Sequence, residues 1–397
     1  MSPKSLSIVP TDVVERAVFG ALEVESTDRG IAPRRLPAWT RAQYPSPVVD
    51  WVARQAAGMH LDFLTAAEVI TLDVMITRNM SEDVDSSDRL STFIAVVDGV
   101  ETDRVALDEG HQIRVRDDDK SYVELKGAPS HISFDLRPSP AGTERRVVIW
   151  LPHNSWVEIL RVQSSAALRA APPRDVVTWL HHGSSISHCT NAGSPLETWP
   201  AIAGAQLDVD VINLGFNGQA LLDPFTAASI RDAAADIITL KIGINIVNGE
   251  VMRARALTPA LHGFLDIVRQ GHPATPIVFI SPIACPVHED VPGPTVPIEG
   301  ANTERFMGTP RTVNEDDVLT LGRVRALVEP VIRHRAESDS RLFYLDGRVL
   351  LGEPDSHLLY DNLHPNGEGY RLIGERFAAI ANSAGSPLAR AFGMARA

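Results

Sequence analysis

Five short apolar segments in the C-terminal half constrain the fold most strongly, because a helical pattern follows each of them. The segments are rich in β-branched residues, as expected for strands buried on both faces, and lie at residues 176–180, 209–214, 237–242, 277–280 and 342–345. The helical patterns lie at residues 196–205, 224–235, 257–269, 318–335 and 368–381. This alternation predicts a parallel sheet covered on both faces, with ligand sites at the carboxyl ends of its strands.

The preceding segment, residues 61–165, has a different pattern of short strands and turns. Strand-like runs lie at residues 69–76, 91–97, 112–115, 121–125, 131–136, 145–150 and 157–162. Turn-forming residues separate them, at Asp98-Gly99 and at residues 117–119, 127–129 and 138–142. Short strands at this spacing predict an antiparallel β-sandwich without a helix of normal length.

These patterns divide the chain into four parts. Residues 1–60 form a Pro-rich lead-in with a short helical pattern at residues 49–57, and we expect this part to pack on the other domains. Residues 61–165 form the sandwich, and the small-residue stretch 166–174 has the composition of a linker. Residues 175–397 form the parallel-sheet domain.

Composition and charge exclude several classes of protein. Hydrophobic residues make up 44% of the 397 residues and charged residues 22%, as in a globular protein with a packed core. The formal net charge of −13 disfavours nucleic acid as a partner, and no apolar stretch of about eighteen residues predicts a membrane span. The acidic N-terminal segment shows no secretory signal, and the two cysteines, Cys189 and Cys285, fit a reducing compartment. We expect a cytoplasmic protein, and the sequence leaves its oligomeric state open.

A candidate nucleophile follows the first strand of the parallel-sheet domain. The sequence there is Gly183-Ser184-Ser185-Ile186-Ser187, in which the glycine allows a sharp turn that presents a hydroxyl above the sheet. It is not the G-x-S-x-G nucleophile elbow, because position 187 is Ser rather than Gly. A polar turn without a catalytic role is the alternative.

Gly215 and Asn245, which follow the second and third strands, are candidate oxyanion donors. A tetrahedral intermediate carries negative charge on the former carbonyl oxygen and needs fixed donors. The N–H of Gly215 has no side chain beside it to obstruct approach, and the amide NH₂ of Asn245 can donate as well. Turn or cap roles are the alternatives for both residues.

Asp361 and His364 follow the fifth strand and are candidates for the orienting residue and the base. A serine hydroxyl needs an imidazole to take its proton, and a carboxylate on the other ring nitrogen fixes the tautomer and stabilises the imidazolium. Pro365 keeps His364 extended, on a loop before the last helix. A surface Asp and a solvated His are the alternative.

Taken in order, these blocks resemble the SGNH, or GDSL-type, hydrolase family, which is named for its Ser, Gly, Asn and His blocks. The resemblance covers about residues 175–385 and rests on Gly183-Ser184-Ser185-Ile186-Ser187, Gly215, Gly243-Ile244-Asn245 and Asp361-Asn362-Leu363-His364. It implies a flavodoxin-like sheet of five parallel strands with helices on both faces, and a triad of Ser185, His364 and Asp361. The implied oxyanion hole is Ser185 N–H, Gly215 N–H and the Asn245 side chain.

Two positions depart from the family pattern. Ser184 stands where an Asp usually precedes the nucleophile, and Ile246 stands where an Asp often follows the Asn. Neither residue belongs to the triad, so both bear on the substrate rather than on the chemistry. The sandwich is similar to jelly-roll domains that precede the catalytic domain in some carbohydrate esterases of this family. The resemblance implies a serine esterase acting on a small O-acyl ester, for example an O-acetyl group on a sugar or natural product.

Three other functions stay open on the sequence: an acyltransferase with the same triad, a catalytically inactive carbohydrate-binding protein, and a metallohydrolase. The residues that suggest a metal-binding site are His181, His182, His188, Cys189 and His288. Neighbouring residues of a strand point to opposite faces, so His181 and His182 do not easily reach one ion. We predict neither a metal ion nor a cofactor.

An insertion at residues 285–317 follows the fourth strand of the sheet. Loops longer than about fifteen residues are usually functional or disordered, and this one leaves the sheet on the side of the candidate site. We expect it to form a wall or lid over Ser185, and a solvated excursion or a subunit contact is the alternative.

Overall fold

The computed structural model describes residues 5–81, 89–115, 121–138, 142–298, 305–309 and 317–397. The chain divides into two units, of which the first is Met1–Arg174 with Ser194–Leu196 and the second is Asp175–Gly193 with Glu197–Ala397. The turn predicted at residues 117–119 lies outside the described residues, and so do residues 139–141 of the turn predicted at 138–142.

The first unit consists mainly of strands. They are β1 (Ser7–Ile8), β2 (Val18–Phe19), β3 (Glu23–Ser26), β4 (Ile31–Arg34), β5 (His60–Thr65), β6 (Val69–Ser81), β7 (Ser91–Val97), β8 (Val100–Leu107), β9 (His111–Val115), β10 (Tyr122–Leu125), β11 (Ser130–Asp135), β12 (Arg145–Trp150), β13 (Ser155–Ser164) and β14 (Leu168–Ala170). Helices α1 (Thr11–Ala17) and α2 (Pro47–Arg54) and a 3₁₀ helix at Ala38–Gln43 lie between strands.

Two sheets share the core of this unit. One has the order β10-β9-β6-β13-β4-β3, with β1 paired to β13 and β11 paired to β6; the other has the order β14-β5-β12-β7-β8, with β2 paired to β5. Within the described residues, β6 and β9 run parallel and the other pairs run antiparallel. Leu72 and Val157 from the first sheet and Phe63 and Ile149 from the second are buried in one cluster. The predicted antiparallel sheets are therefore present.

Each strand predicted between residues 61 and 165 corresponds to an observed strand, but β5 and β8 were not predicted. In β8 no residue is fully buried and three of the eight residues are charged, so the strand has little hydrophobic signal. Strands β1, β3 and β4 of the lead-in belong to the first sheet, and β2 belongs to the second. The stretch 166–174, which has the composition of a linker, contains β14, and β14 pairs with β5.

The second unit alternates strands and helices. Its strands are β15 (Thr178–Gly183), β16 (Asp210–Gly215), β17 (Ile237–Lys241), β18 (Ile277–Ile280), β19 (Val296–Pro297), β20 (Phe306–Met307) and β21 (Leu342–Leu345). Its helices are α3 (Ser185–His188), α4 (Trp199–Leu207), α5 (Pro224–Asp232), α6 (Ile244–Asn248), α7 (Ala254–Gly271), α8 (Pro286–Glu289), α9 (Leu321–Ala336), α10 (Gly367–Ala381) and α11 (Pro387–Ala395). Shorter 3₁₀ helices lie at Gly347–Val349 and Glu353–Leu358.

The main sheet of this unit confirms the predicted fold. Its order is β16-β15-β17-β18-β21, and every pair of neighbours is parallel, which is the flavodoxin-like arrangement. Every residue of β17 and β18 is buried, including Thr239 and Lys241 of β17, as expected for central strands of a sheet covered on both faces. The five predicted helices correspond to α4, α5, α7, α9 and α10.

Helices cover the sheet with apolar faces. In α7 the buried residues lie on one face, with the spacing of an amphipathic helix: Leu257, Leu261, Phe264, Leu265 and Val268. Helix α10 begins where Asn366 Oδ1 accepts a hydrogen bond from Gly369 N–H at 2.9 Å. Its Phe377 stacks on the buried Trp179 of β15, with 4.6 Å between ring centroids. Among the described residues, no helix has the length and apolar character needed to cross a bilayer.

Candidate active site

Ser185 is the first residue of a helical turn at the carboxyl end of β15. Ser184 caps this turn, because its Oγ accepts a hydrogen bond from Ile186 N–H at 3.3 Å. Buried Trp199 holds the turn from the side by donating to the carbonyl of Ile186 at 2.9 Å. A Cβ atom on Gly183 would lie 2.3 Å from Ser187 Oγ, so the sharp turn needs glycine there. The N–H of Ser185 donates to no acceptor among the described residues.

The structure brings Ser185, His364 and Asp361 together. Ser185 Oγ lies 3.0 Å from His364 Nε2, and His364 Nδ1 lies 2.6 Å from Asp361 Oδ2. Ser185 and Asp361 are buried, whereas the His364 side chain is 19% exposed. A substrate therefore has access to the imidazole, while the carboxylate is shielded from water.

A tight loop holds the Asp and the His in this geometry. Tyr360 N–H donates to the carbonyl of His364 at 3.1 Å, and Asn362 adopts a positive φ of 71° between them. The other oxygen of Asp361, Oδ1, accepts hydrogen bonds from the N–H groups of Leu363 and His364 at 2.9 and 2.6 Å. One carboxylate thus fixes both the loop and the ring.

The surroundings of Asp361 favour its ionised form. Burial acts to raise the pKa of the carboxyl group, but the hydrogen bond and charge of His364 and the two backbone N–H groups act more strongly together, so the pKa lies below its ordinary value. The carboxylate therefore stays negative near neutral pH, as is required to stabilise an imidazolium.

Asn245 lies on α6, directly after β17. Its side chain is buried, and its Oδ1 accepts a hydrogen bond from Ala220 N–H at 3.2 Å. This bond sets the orientation of the amide and directs the NH₂ group away from Ala220. Nδ2 donates to no acceptor among the described residues, so it can bind a ligand oxygen.

Gly215 differs from its predicted role as an oxyanion donor. Its N–H already donates to Oδ1 of Asn213 at 2.8 Å. A Cβ atom at this position would lie 2.4 Å from His188 N and 2.5 Å from Ser187 C. Gly215 therefore allows the backbone of the helical turn that begins at Ser185 to pack closely on β16. The N–H of Gly215 is engaged within the protein.

The turn that follows Gly215 contains a further backbone N–H group that is a candidate oxyanion donor. Gly218 has a positive φ of 70° and open space around its Cβ position, and its N–H has no acceptor among the described residues. The same turn includes Ala220, which contacts Asn245. The Asn217-Gly218 dipeptide is a turn signal that marks this segment.

A buried chain of hydrogen bonds connects β15 and β17 to the helical turn that begins at Ser185. Trp179 Nε1 donates to Thr239 Oγ1 at 2.7 Å, His181 Nδ1 lies 2.6 Å from Thr239 Oγ1, and His181 Nε2 lies 2.7 Å from Ser187 Oγ. Burial holds the pKa of His181 well below its ordinary value, and the positive charge of Lys241 acts in the same direction. A neutral His181 therefore connects β17 to the turn that carries Ser185.

The histidines that suggested a metal site have protein partners. Both ring nitrogens of His181 are engaged, and His182 Nδ1 lies 2.7 Å from the carbonyl of Leu214. His288 bonds through Nδ1 to Val291 O at 3.1 Å and through Nε2 to Thr295 Oγ1 at 2.7 Å. Within the described part of the chain, no group of three or more His, Cys, Asp and Glu is suited to hold a metal ion.

The described part of the insertion reaches the loop of Asp361. It consists of α8, β19 and β20, while residues 299–304 and 310–316 lie outside the described residues. Phe306 N–H donates to the carbonyl of Asp361 at 3.0 Å, and Asn362 Nδ2 donates to the carbonyl of Phe306 at 3.2 Å. The expected position of the insertion near the candidate site did not include these particular hydrogen bonds of Phe306.

A serine, an imidazole and a buried carboxylate in this order of hydrogen bonds form an arrangement that also occurs in serine hydrolases. Residues 177–288 match the model of the GDSL-like Lipase/Acylhydrolase family. This match, over part of the second unit, supports the assignment of the chain as a hydrolase acting on ester bonds. The matched segment contains Ser185 and Asn245 and ends before Asp361 and His364. Among curated proteins, none matches the sequence.

Several solved structures are similar over most of the chain. The salicylyl-acyltransferase SsfX3 from a tetracycline biosynthetic pathway has 24% identity and a TM-score of 0.73, over 91% of this chain and 92% of that one. A protein of Bacteroides ovatus, assigned as a GDSL-like lipase, has 19% identity and a TM-score of 0.65, over 95% and 97%. A family two carbohydrate esterase of Clostridium thermocellum has 13% identity and a TM-score of 0.57, over 96% and 99%. These likenesses show the fold alone and confirm its prediction.

Proposed function

We propose that the chain is a serine esterase that cleaves a small O-acyl ester through an acyl-enzyme intermediate. The observation that carries this proposal is the pair of hydrogen bonds that link Ser185 Oγ to His364 Nε2 at 3.0 Å and His364 Nδ1 to Asp361 at 2.6 Å. The substrate class is an acetyl-sized ester, for example on a sugar or natural product. The fold shared with carbohydrate esterases supports this class.

In the first half-reaction, Ser185 Oγ attacks the carbonyl carbon of the ester while its proton moves to His364 Nε2. The tetrahedral intermediate then breaks its bond to the alcohol oxygen, which leaves with the proton from His364. Asp361 accepts the hydrogen bond of His364 Nδ1–H throughout and stabilises the positive ring. The products of this half are the free alcohol and an ester of Ser185.

In the second half-reaction, water takes the place of the alcohol. His364 Nε2 removes a proton from water, whose oxygen attacks the acyl carbon of the Ser185 ester. Collapse of the second tetrahedral intermediate breaks the bond to Ser185 Oγ, which regains its proton from His364. The acid leaves, and the enzyme returns to its starting state.

The oxyanion of both intermediates needs fixed hydrogen-bond donors. Three groups fit this need: the N–H of Ser185 at the start of α3, Nδ2 of Asn245, and the N–H of Gly218 in the turn that contacts Asn245. Each of them lacks an acceptor among the described residues. Gly215 contributes by packing, since its N–H is occupied by Asn213.

Asn245→Ala is expected to lower kcat by about 10² to 10³-fold with a smaller change in KM, because the lost donor acts mainly on the transition state. Hydrolysis of p-nitrophenyl acetate measures the effect. Asn248→Ala, on the same short helix, serves as the matched control and should keep the wild-type rate. A loss of less than threefold in Asn245→Ala would exclude this side chain from the oxyanion hole.

The proposed acyl size is tested with p-nitrophenyl esters from acetate to octanoate. The value of kcat/KM is expected to be highest for acetate and to fall by about tenfold or more at octanoate, because a site shaped for a short acyl group does not accommodate a longer chain. A flat or rising profile would contradict the small-acyl assignment while leaving the triad intact.

Acyl transfer to another alcohol is the second candidate function. Similarity to the acyltransferase SsfX3 over 91% of the chain favours it, because the same triad serves both reactions. Product analysis with and without an acceptor alcohol separates the two. An esterase releases the free acid at the same rate in both cases, whereas an acyltransferase forms the new ester at the expense of the acid.

A further inference from the structure

Phe306 of the insertion forms hydrogen bonds to the loop that carries Asp361 and His364. Its N–H and C=O groups bond to the Asp361 carbonyl and the Asn362 side chain, at 3.0 and 3.2 Å. Asn362 is held from its other side as well, because Cys285 Sγ lies 3.4 Å from its carbonyl. The position of Phe306 relative to the loop of His364 is therefore set by hydrogen bonds to the N–H and C=O groups of Phe306.

Two aromatic rings flank the imidazole of His364. The Phe306 ring is nearly perpendicular to it, with an interplanar angle of 77° and 6.5 Å between centroids. The Tyr360 ring is closer to parallel, with an angle of 28° and the same distance. Tyr360 is 43% exposed, and its hydroxyl accepts a hydrogen bond from Asn191 Nδ2. Phe306 is partly buried, and accessible rings held in fixed positions offer contact area at a low cost in conformational entropy.

The proposed role of His364 indicates whether the acyl half or the alcohol half of the ester lies next to these two rings. His364 Nε2 delivers its proton to the oxygen of the leaving alcohol, so that oxygen must lie within hydrogen-bond distance of the imidazole. The carbonyl oxygen points instead to the oxyanion donors around Asn245. The alcohol half consequently lies on the His364 side, next to Phe306 and Tyr360.

We propose that Phe306 and Tyr360 form a subsite for the alcohol half of the ester, and that this subsite selects an alcohol with a ring that presents a broad apolar face, either an aromatic ring or the C–H face of a sugar. Aromatic side chains interact favourably with other rings in stacked or edge-to-face geometry. A linear alkyl alcohol lacks such a face. This inference rests on the proposed esterase function, since it depends on the role of His364 as proton donor to the alcohol.

The test keeps the acyl group constant and changes the alcohol. The substrates are phenyl acetate, an acetylated methyl glycoside and n-butyl acetate, and kcat/KM is the quantity measured, because it includes acylation, the step in which the alcohol leaves. Phe306→Ala and Tyr360→Ala are each expected to lower kcat/KM about tenfold for the preferred ring alcohol and less than twofold for n-butyl acetate. Comparison of the phenyl and glycoside values identifies which ring the subsite accepts.

Two further variants control for damage to the loop. Met307→Ala changes the neighbouring exposed residue of β20 and should leave the ratio of ring to linear substrate unchanged. Phe306→Tyr keeps the ring and should restore selectivity. An unchanged ratio in Phe306→Ala, or an equal loss for all three esters, would overturn the subsite. If Ser185→Ala still hydrolyses these esters, the proposed esterase mechanism itself is wrong. That conclusion does not depend on the ratio of the rates for ring and linear substrates.

Discussion

Ser185→Ala is expected to lower the kcat of ester hydrolysis by about 10⁴-fold or more. The reason is that the variant has no atom to form the acyl-enzyme, although the oxyanion donors and the base stay in place. The hydroxyl of Ser185 bonds to His364 at 3.0 Å, and α3 is capped by Ser184, so the turn itself does not depend on the lost group. Release of p-nitrophenol from the acetate ester measures the effect.

The matched control for this result is Ser383→Ala, which changes an exposed serine of the same unit and should keep the wild-type rate. Thermal unfolding of both variants should give midpoints close to that of the wild-type protein. Turnover by Ser185→Ala within tenfold of the wild-type value would exclude Ser185 as the nucleophile. A chelator-sensitive residual rate would then favour the metallohydrolase alternative.

Asp361→Asn is expected to lower kcat by about 10⁴-fold while the loop keeps its fold. Asp361 Oδ1 accepts the N–H groups of Leu363 and His364, and the amide oxygen of Asn can keep both bonds. The NH₂ group then faces His364 Nδ1 and donates to it. The ring proton is forced to Nε2, where it prevents His364 from accepting the proton of Ser185.

Asp232→Asn is the matched control for this substitution. Asp232 is exposed and pairs with the neighbouring Arg231, so its replacement should leave kcat unchanged. A rate for Asp361→Asn within tenfold of the wild-type value would show that the carboxylate is dispensable, and the triad would reduce to a Ser and a His. Equal thermal stability of the two variants would establish that the loss is catalytic.

The parallel sheet could be predicted because its strands carry an unambiguous pattern. β17 and β18 are rich in β-branched and other apolar residues, and the long helices α7 and α9 follow them further along the chain. Such a pattern is missing from β8, which mixes charged and apolar residues and has none that is fully buried, and from the two-residue strands β1 and β2. These strands are stabilised by pairing with strands that are distant in the sequence. The local sequence of each strand does not predict that pairing.

The site could be predicted in part, because side chains at the ends of adjacent parallel strands come together. That topology accounts for the proximity of Ser185, His364 and Asp361, whereas local hydrogen bonds to Asp361 set the distance between its carboxylate and the ring. The engagement of Gly215 N–H by Asn213 could not be predicted, since it depends on the rotamer of one side chain two residues away. The contact of Phe306 with Asp361 depends on the path of a long insertion, which no periodic pattern describes.

Labelling of the protein with a fluorophosphonate, followed by mass spectrometry of its peptides, tests the central claim most directly. The reagent reacts with a serine whose hydroxyl is activated by a neighbouring base. The predicted result is one label per chain, located on Ser185, absent from Ser185→Ala and strongly reduced in Asp361→Asn. A folded protein that takes up no label, as expected for an inactive binding protein, or a label on another residue, would contradict the assignment of Ser185, His364 and Asp361 as a catalytic triad.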